Sequence, residues 1–343
     1  MNDGSPRSVS ETNRANWHFT PDLPIRPAPY WDRPARWGVI LKHIVNGWNP
    51  LGIRFYLLLI ALGIWFFTSP SLERTASLQF DWIFQIWIRN LILMTVVAGG
   101  LHLYLYTFRG QGDEWRYDKR AYPAKGKGFL FGNQLWDNMF WSLGSGVAVW
   151  TAYEVLFMWA YANGIAPLIT LEENPVLFIV LILLIPYWND VHFNAYHRLL
   201  HWPPLFRWVH FRHHRNVNLG PWSGLSQHPV EHVVDQSDCL IFLFIPSHPV
   251  HVIFQLMFHG LNGPATHVGY DGIRLSKTRR FEVGDFFHQI HHRYFDCNYG
   301  SPDTPWDHLF GSFHDGTEEG DRLVQARRKA MKAKRQQVAA TES

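Results

Sequence analysis

One stretch, residues 190–214, constrains the fold more than any other, because a long apolar segment ends there in closely spaced histidines. The histidines of this stretch are His197, His201, His210, His213 and His214. Positions i, i+3 and i+4 lie on one face of a helix. The spacing therefore predicts two short helical pieces, joined at Pro203 and Pro204, each of which presents a group of imidazoles.

The H-x-x-H-H spacing of residues 210–214 returns at His288, His291 and His292. Of the 20 histidines in the chain, 17 lie between residues 192 and 314, which packing does not explain, since a buried imidazole needs polar partners. Imidazole binds Zn, Fe, Cu and Ni. Eight histidines in three motifs exceed the four ligands of a structural zinc site, so a dinuclear centre is the better interpretation. Iron would suit oxygen chemistry on an apolar substrate.

The composition favours a membrane protein. Hydrophobic residues make up 47% of the chain, aromatic residues 16% and charged residues only 17%, with 17 tryptophans, a balance typical of chains with interfacial aromatic belts. The net charge of +3 gives no reason to expect nucleic-acid binding. Cys239 and Cys297 form no C-x-x-C pair, so neither a disulfide framework nor a thiolate metal site is expected.

Four apolar segments predict transmembrane helices, near residues 50–68, 82–108, 137–162 and 175–196. A fifth apolar run near 240–260 is interrupted by Pro246 and Pro249, which favours a re-entrant hairpin over a span. Lys and Arg concentrate in the N-terminal tail and in the loop 109–127, so both ends of the bundle should be cytoplasmic. The predicted fold class is all-α: an integral membrane bundle of about four transmembrane helices, with a cytoplasmic helical cap that holds the histidine-rich dimetal site.

The chain divides into three parts on this interpretation. Residues 1–48, with Arg7 and Arg14, form a polar cytoplasmic tail that ends in an interfacial piece. Residues 49–320 form the membrane-embedded domain, with its histidine cap at 190–214 and 262–314. Residues 321–343 form a basic tail facing an anionic leaflet. No secretory signal or retrieval motif is recognised, which favours a bacterial inner membrane over an endoplasmic reticulum.

The histidine motifs resemble those of the fatty acid hydroxylase and sterol desaturase superfamily of membrane non-haem diiron enzymes. HRLLH (197–201), HFRHH (210–214) and HQIHH (288–292) resemble its three histidine boxes. HPVE (228–231) and THVGYD (266–271) resemble its intermediate blocks, and FDCNYGSPDTPWDHLFGSF (295–313) its C-terminal signature. The residues of the 266–271 and 295–313 motifs most resemble those of the sterol desaturase branch.

This resemblance implies two iron ions held by the eight boxed histidines, with His267 as a ninth ligand. Some relatives have a partner histidine four residues from that position, where this chain has Gly263 and Asp271, and His259 is an open candidate for a tenth ligand. The implied reaction uses molecular oxygen to place a hydroxyl group or a double bond in a membrane lipid, which could be sterol-like, fatty acyl or another isoprenoid. With no nucleotide fingerprint and no fused haem or flavin domain, electrons would come from a ferredoxin or a cytochrome b-type protein with its reductase.

Ligating histidines usually donate their second N–H to a carboxylate or a carbonyl. The candidates for such outer partners are Asp190, His228, Glu231, Asp285, Asp296, Asn298 and Asp307. His228 precedes a proline, so orienting a turn is the favoured role for it. The alternative function is a non-catalytic histidine-rich metal protein, either a zinc scaffold or a metal transporter.

Overall fold

The computed structural model describes residues 17–276 and 279–341, and this part of the chain is predominantly helical. The predicted helical class is therefore confirmed. The first 16 residues of the predicted tail, with Arg7 and Arg14, lie outside the described residues. The strands of the described part are β1 (Ile273–Arg274) and β2 (Arg280–Phe281), which pair antiparallel.

The α-helices of the described residues are α1 (Trp37–Asn46), α2 (Ile53–Phe67), α3 (Leu72–Thr75), α4 (Phe80–His102), α5 (Gln134–Trp141), α6 (Val147–Ala162), α7 (Pro175–Leu200), α8 (Pro203–Leu205), α9 (Phe211–His214), α10 (Pro229–Asp235), α11 (Pro249–Gly260), α12 (Asn262–Thr266), α13 (Phe286–Tyr294), α14 (Trp306–Leu309) and α15 (Glu318–Thr341). Turns of π-helix occur at Leu103–Thr107, Ser142–Gly146 and Phe206–His210. Turns of 3-10 helix occur at Pro29–Trp31, Leu130–Gly132, Pro221–Ser223 and Gln236–Leu243.

Two helices in the described residues are long and apolar enough to cross a bilayer, Phe80–Thr107 and Pro175–Leu200, and Ile53–Phe67 is a shorter apolar helix. The segment predicted as the third span, 137–162, instead folds as the end of α5, a π-helical turn and α6. Two candidates are half the predicted number, so the bundle of four transmembrane helices stays a prediction.

Helix α11 lies at the centre of the apolar half of the molecule. All twelve of its residues are buried, including the polar residues His251, Gln255 and His259. It packs against α2, α6 and α7. The turn before it lies beside the connection between α6 and α7, where Ser247 N–H donates to the Pro167 carbonyl at 3.0 Å. The apolar run near 240–260 thus consists of the end of a 3-10 segment, a bend and α11, and a re-entrant hairpin there stays a prediction.

Arg89 faces the helical bundle rather than its surface. Its guanidinium pairs with Glu154, which is 1% exposed, and also contacts the Asn90 amide. Helices α4 and α6 hold its side chain between them, 10% exposed. A buried charge in such a place needs a partner, and Glu154 supplies it.

The outer side of the histidine cap is covered by both ends of the described chain. Arg293 lies 3.5 Å above the Trp17 ring, and the Ile25 N–H donates to the Asp315 carbonyl at 2.8 Å. Helix α15 contributes Asp321, which accepts a hydrogen bond from the Tyr294 hydroxyl at 2.5 Å. These contacts shield α13, which carries three of the predicted ligands.

Candidate metal centre

Five imidazoles converge where α7 ends. The five-histidine group consists of His197, His201, His210, His214 and His291, whose nearest ring nitrogens all lie within 4.8 Å of one another. The Nε2 atoms of His197 and His210 are 3.0 Å apart, and those of His291 and His214 are 3.1 Å apart. The i, i+4 spacing on the last turn of α7 aims His197 and His201 at the same point.

Four further imidazoles form a neighbouring group. The four-histidine group consists of His213, His267, His288 and His292, again within 4.8 Å of one another. The Nε2 atom of His288 lies 3.2 Å from that of His267 and 3.0 Å from that of His292. All nine predicted ligands are thus brought together, in one group of five and one of four.

Each H-x-x-H-H motif divides its histidines between the two groups. In residues 210–214 the outer pair, His210 and His214, joins the five-histidine group, while His213 joins the other. In residues 288–292 the assignment is reversed, with only His291 in the five-histidine group. Neighbouring residues of a helix point about 100° apart, so one helical turn can face two sites. The expected separation, one group for each helical piece, is therefore wrong.

Burial keeps these imidazoles neutral. Eight of the nine are at most 5% exposed, and His201 alone is partly exposed. Loss of solvent, together with neighbouring imidazoles, holds the pKa well below its usual value for His210, His213, His214, His288 and His292. Burial lowers the pKa of His291 to about 3 and that of His267 to about 4. A neutral imidazole offers a lone pair to a metal.

Backbone carbonyls fix the orientation of three of these rings. The Nδ1 atoms of His197, His291 and His267 donate to the carbonyls of Tyr299 (2.7 Å), Cys297 (2.6 Å) and Gly263 (2.9 Å). A carbonyl only accepts, so each of these rings carries its proton on Nδ1 and directs the Nε2 lone pair inward. The tautomer is the one that metal binding through Nε2 requires.

Asp307 holds the loop that supplies two of these carbonyls. Its carboxylate accepts the N–H groups of Tyr299 (3.1 Å) and Gly300 (2.9 Å) and pairs with Arg198 at 2.7 Å. Asn298 adopts a positive φ of 55° and donates to the carbonyl of Phe287 at 3.2 Å. The C-terminal signature thus acts on His197 and His291 through the backbone.

The remaining carboxylate candidates differ in their distance from the histidines. Glu231 contacts a predicted ligand directly, since its Oε1 lies 2.7 Å from His210 Nδ1. Asp285 caps α13 and accepts the His288 N–H at 3.1 Å. Asp190 accepts the Ser301 hydroxyl at 2.9 Å.

Two of the candidates lie away from the ring nitrogens. The carboxylate of Asp296 pairs with Arg328 instead. The side chain of His228 accepts the Val230 N–H at 3.2 Å and caps α10. The orienting role favoured for His228 from its position before a proline matches this cap.

His259 joins neither histidine group. Its Nδ1 lies 3.1 Å from an Asp235 oxygen and its Nε2 lies 2.9 Å from an Asp238 oxygen. Both ring nitrogens are therefore engaged by carboxylates. On this geometry His259 is not a tenth ligand.

A small polar cavity, here called the chamber, adjoins the four-histidine group. It has a volume of about 120 Å³, and three of that group's imidazoles line it: His213, His267 and His288. The rest of its wall is mostly polar and includes Asp190, Gln227, Asp235, His259, Asn262 and Asp285. No member of the five-histidine group borders it.

The histidines lie within a segment that matches known proteins. A family model described as fatty acid hydroxylase matches residues 176–312, which include all nine histidines. The Delta(7)-sterol 5(6)-desaturase of Saccharomyces cerevisiae is 33% identical over 128 residues, which are 37% of this chain and 34% of the relative. The corresponding protein of Eremothecium gossypii is 30% identical over 131 residues, 38% of this chain and 36% of the relative.

This match supports the fatty acid hydroxylase and sterol desaturase superfamily, which the histidine motifs resemble.

The matched part spans about a third of the length of these two curated relatives. No solved structure matches the chain at a significant level. Both relatives come from fungi, so the comparisons give no support to the bacterial inner membrane expected from the sequence.

Some groups around the histidines could not be recognised from the sequence. The carbonyls of Cys297 and Tyr299 carry no residue signal, because any residue offers a carbonyl. The residue through which the structure fixes them is Asp307, which accepts the N–H groups of Tyr299 and Gly300. Asp235 and Asp238, which flank His259, lie in a segment without a recognised motif.

Proposed function

We propose that this protein is a membrane-bound oxidoreductase that uses molecular oxygen to hydroxylate or desaturate a lipid, with two iron ions held by the nine histidines. The observation that carries the proposal is the convergence of nine neutral, mostly buried imidazoles in two adjacent groups. Packing alone does not account for it, because such nitrogens need partners when they are buried.

The donor set fits iron. Both groups consist of imidazoles alone, and neither Cys239 nor Cys297 belongs to either group. Nitrogen donors of this kind suit Fe, Cu, Zn and Ni, and five-fold coordination exceeds the four ligands of a structural zinc site. When bound, iron would supply the redox chemistry with dioxygen that amino-acid side chains lack.

The chain's own residues give the two groups different surroundings. The carbonyls of Cys297 and Tyr299 orient two imidazoles of the five-histidine group, and Phe206 and Phe295 cover it with aromatic rings. The four-histidine group has one donor fewer and borders the chamber. The chamber is too small for a whole lipid, since ligand pockets usually have volumes of about 300–1,000 Å³. It can admit water, dioxygen or one end of a substrate.

A membrane location is supported by exposed apolar side chains. Phe67, Val96 and Val176 are 87%, 64% and 75% exposed on α2, α4 and α7. Exposed apolar surface of this kind marks contact with a membrane or a partner. We propose that the histidine cap faces the cytoplasm, where the Lys- and Arg-rich loop 109–127 also lies.

A lipid substrate fits the family, and the names of the relatives favour a sterol-like one. Fatty acyl and other isoprenoid substrates fit the same histidine arrangement. We propose that electrons come from a ferredoxin or a cytochrome b-type protein with its reductase. Lipid profiling of a deletion strain against its parent identifies the substrate by the lipid that accumulates.

Metal analysis and oxygen consumption of the purified protein test the proposal. We expect about two irons per chain and oxygen uptake that requires a reductant. Alanine at His213 or His291 should abolish turnover and leave the protein in the membrane, whereas His251→Gln, which alters a buried histidine outside both groups, should not. A single zinc without iron or oxygen uptake would indicate a zinc scaffold, and full activity in either alanine variant would overturn the assignment.

A further inference from the structure

A buried cluster of charges beside the chamber has no role in the function proposed above. His259, 5% exposed near the end of α11, lies between Asp235 on α10 and Asp238 on the following 3-10 turn. The two carboxylates are 4% and 1% exposed. Each ring nitrogen faces one of them, at 3.1 Å and 2.9 Å.

This geometry protonates the imidazole on both nitrogens. An ionised carboxylate only accepts hydrogen bonds, so a ring with a carboxylate at Nδ1 and another at Nε2 carries a hydrogen on each. The cluster then holds one positive and two negative charges in a place that excludes bulk water. It stores one acidic proton that neither histidine group supplies.

Each element packed around His259 contributes a defined neighbour. From α7, the Asn189 amide nitrogen donates at 3.2 Å to the same Asp238 oxygen that faces His259 Nε2, and the Tyr196 hydroxyl donates to Asp235. His192, also on α7, bonds to Ser237 instead. From α11 itself, Gln255 donates to Asp238. No lysine or arginine makes an ion pair with Asp235 or Asp238 among the described residues.

The chamber connects this cluster with the four-histidine group. His259 and Asp235 form part of its wall, and His213, His267 and His288 form another part. Its volume of about 120 Å³ exceeds the roughly 10–15 Å³ that one water molecule requires. Two further wall atoms, Gln227 Oε1 and Asn262 Oδ1, are buried without a hydrogen-bond partner among residues 17–276 and 279–341. Such acceptors are suited to hold water.

We propose that His259, held between Asp235 and Asp238, is the proton donor for oxygen reduction at the four-histidine group, acting through water in the chamber. The proposal rests on the proposed function. Hydroxylation takes one dioxygen, two electrons and two protons and releases one water beside the alcohol. Desaturation takes the same and releases two waters beside the alkene. Both reactions therefore need two protons delivered to a buried site.

The proton balance is simple. His259 gives its Nδ1 or Nε2 proton to a chamber water, and that water passes a proton to the oxygen that leaves as water. The electrons come from the external reductant. The neutral ring then regains a proton from solvent, and the two carboxylates favour that return. The imidazole ends unchanged, as a general acid must.

The first test needs no metal. In the metal-free protein with ¹⁵N-labelled histidine, His259 should give an imidazolium signal at neutral pH that is missing from His259→Gln. The variant His251→Gln is the matched control, because His251 is also buried on α11 but bonds to the Phe178 carbonyl, away from the chamber. It should retain that signal. A neutral His259 in the wild-type protein overturns the proposal, even if the enzyme is active.

The second test uses the iron-loaded protein. His259→Gln should keep its iron, lose about 100-fold in kcat and show a larger solvent deuterium isotope effect, whereas His251→Gln should match the wild type. If His259→Gln does not fold, Asp235→Asn replaces it in the test. We expect this variant also to have a lower kcat and a larger solvent deuterium isotope effect. The variant could instead keep the wild-type kcat per iron and the wild-type isotope effect, and lose only stability. That result would show that the cluster has only a structural role, holding α10 against α11. Wild-type protein without iron or oxygen uptake would refute the proposed function instead, while the imidazolium signal would still be measured.

Discussion

The five-histidine and four-histidine groups share helices α9 and α13 but differ in their other ligands and in their surroundings. The five-histidine group lies between the end of α7 and the 297–300 loop, and backbone carbonyls orient two of its rings. The four-histidine group has one imidazole fewer and borders a polar chamber. On the proposed function, four donors would leave the metal of the four-histidine group a free position for dioxygen. Catalytic metal sites keep such an open position.

Removing one histidine ligand is expected to have the largest effect on iron content and turnover. The loss of iron should differ between the two groups. His267→Ala leaves three imidazoles in the four-histidine group, so we expect iron to fall from about two to about one per chain, with loss of all turnover. His201→Ala leaves four imidazoles in the other group, and most of the iron should remain. Iron analysis with oxygen-uptake assays measures both variants. Equal iron loss in the two would contradict the proposed asymmetry.

Asp307→Asn should weaken the five-histidine group selectively. The amide keeps the shape of the side chain but removes the charge that accepts the Tyr299 and Gly300 N–H groups. Loss of such an outer partner typically costs about 10–100-fold in metal affinity. Competition with a chelator measures it. Asp296→Asn is the matched control, because Asp296 pairs with Arg328 at the surface, and it should leave affinity unchanged. A similar loss in both variants would show that the whole C-terminal signature acts as one structural unit.

Acid should destabilise the metal-free protein through both groups. The pKa of His267 is lowered to about 4 and that of His291 to about 3, whereas an unfolded histidine titrates near 6.5. Below about pH 6.5 the unfolded chain therefore binds protons that the folded chain excludes. Stability should fall as pH drops from about 6.5 toward 4, by about 1.4 kcal/mol per pH unit for each such imidazole. Thermal unfolding at pH 7 and pH 5 measures this, and equal midpoints would show that the imidazoles are not held neutral.

The smallest effect is expected from the outer ion pair of the cap. Arg328→Ala removes a partly exposed pair with Asp296, and such pairs contribute about 1 kcal/mol or less. The unfolding midpoint should shift slightly, with iron content and turnover unchanged in both groups. Loss of iron in this variant would mean that α15 supports the metal centre.

The site was easier to predict than the helical bundle. Spacing singled out eight histidines and the family resemblance added His267, because a ligand must be a particular residue at a particular helical position. The division of each motif between two groups was missed, since it depends on how helices α7, α9 and α13 meet. The role of Cys297 and Tyr299 was also hidden, because their backbones rather than their side chains make the contacts.

The apolar half was harder to predict, for a physical reason. An apolar segment signals burial without saying whether lipid or protein covers it. The segment 137–162 and helix α11 are both mainly apolar, yet the first contains a π-helical turn and the second is surrounded by other helices. Proline positions, such as Pro249 at the start of α11, gave the better guide to where the chain turns.

The most direct test of the two-group arrangement is metal analysis combined with X-ray absorption at the iron edge on protein purified with its native metal. The account predicts about two irons per chain, each surrounded by nitrogen and oxygen donors without sulfur, and one carrying more imidazoles than the other. A single metal per chain, or zinc in place of iron, would contradict it.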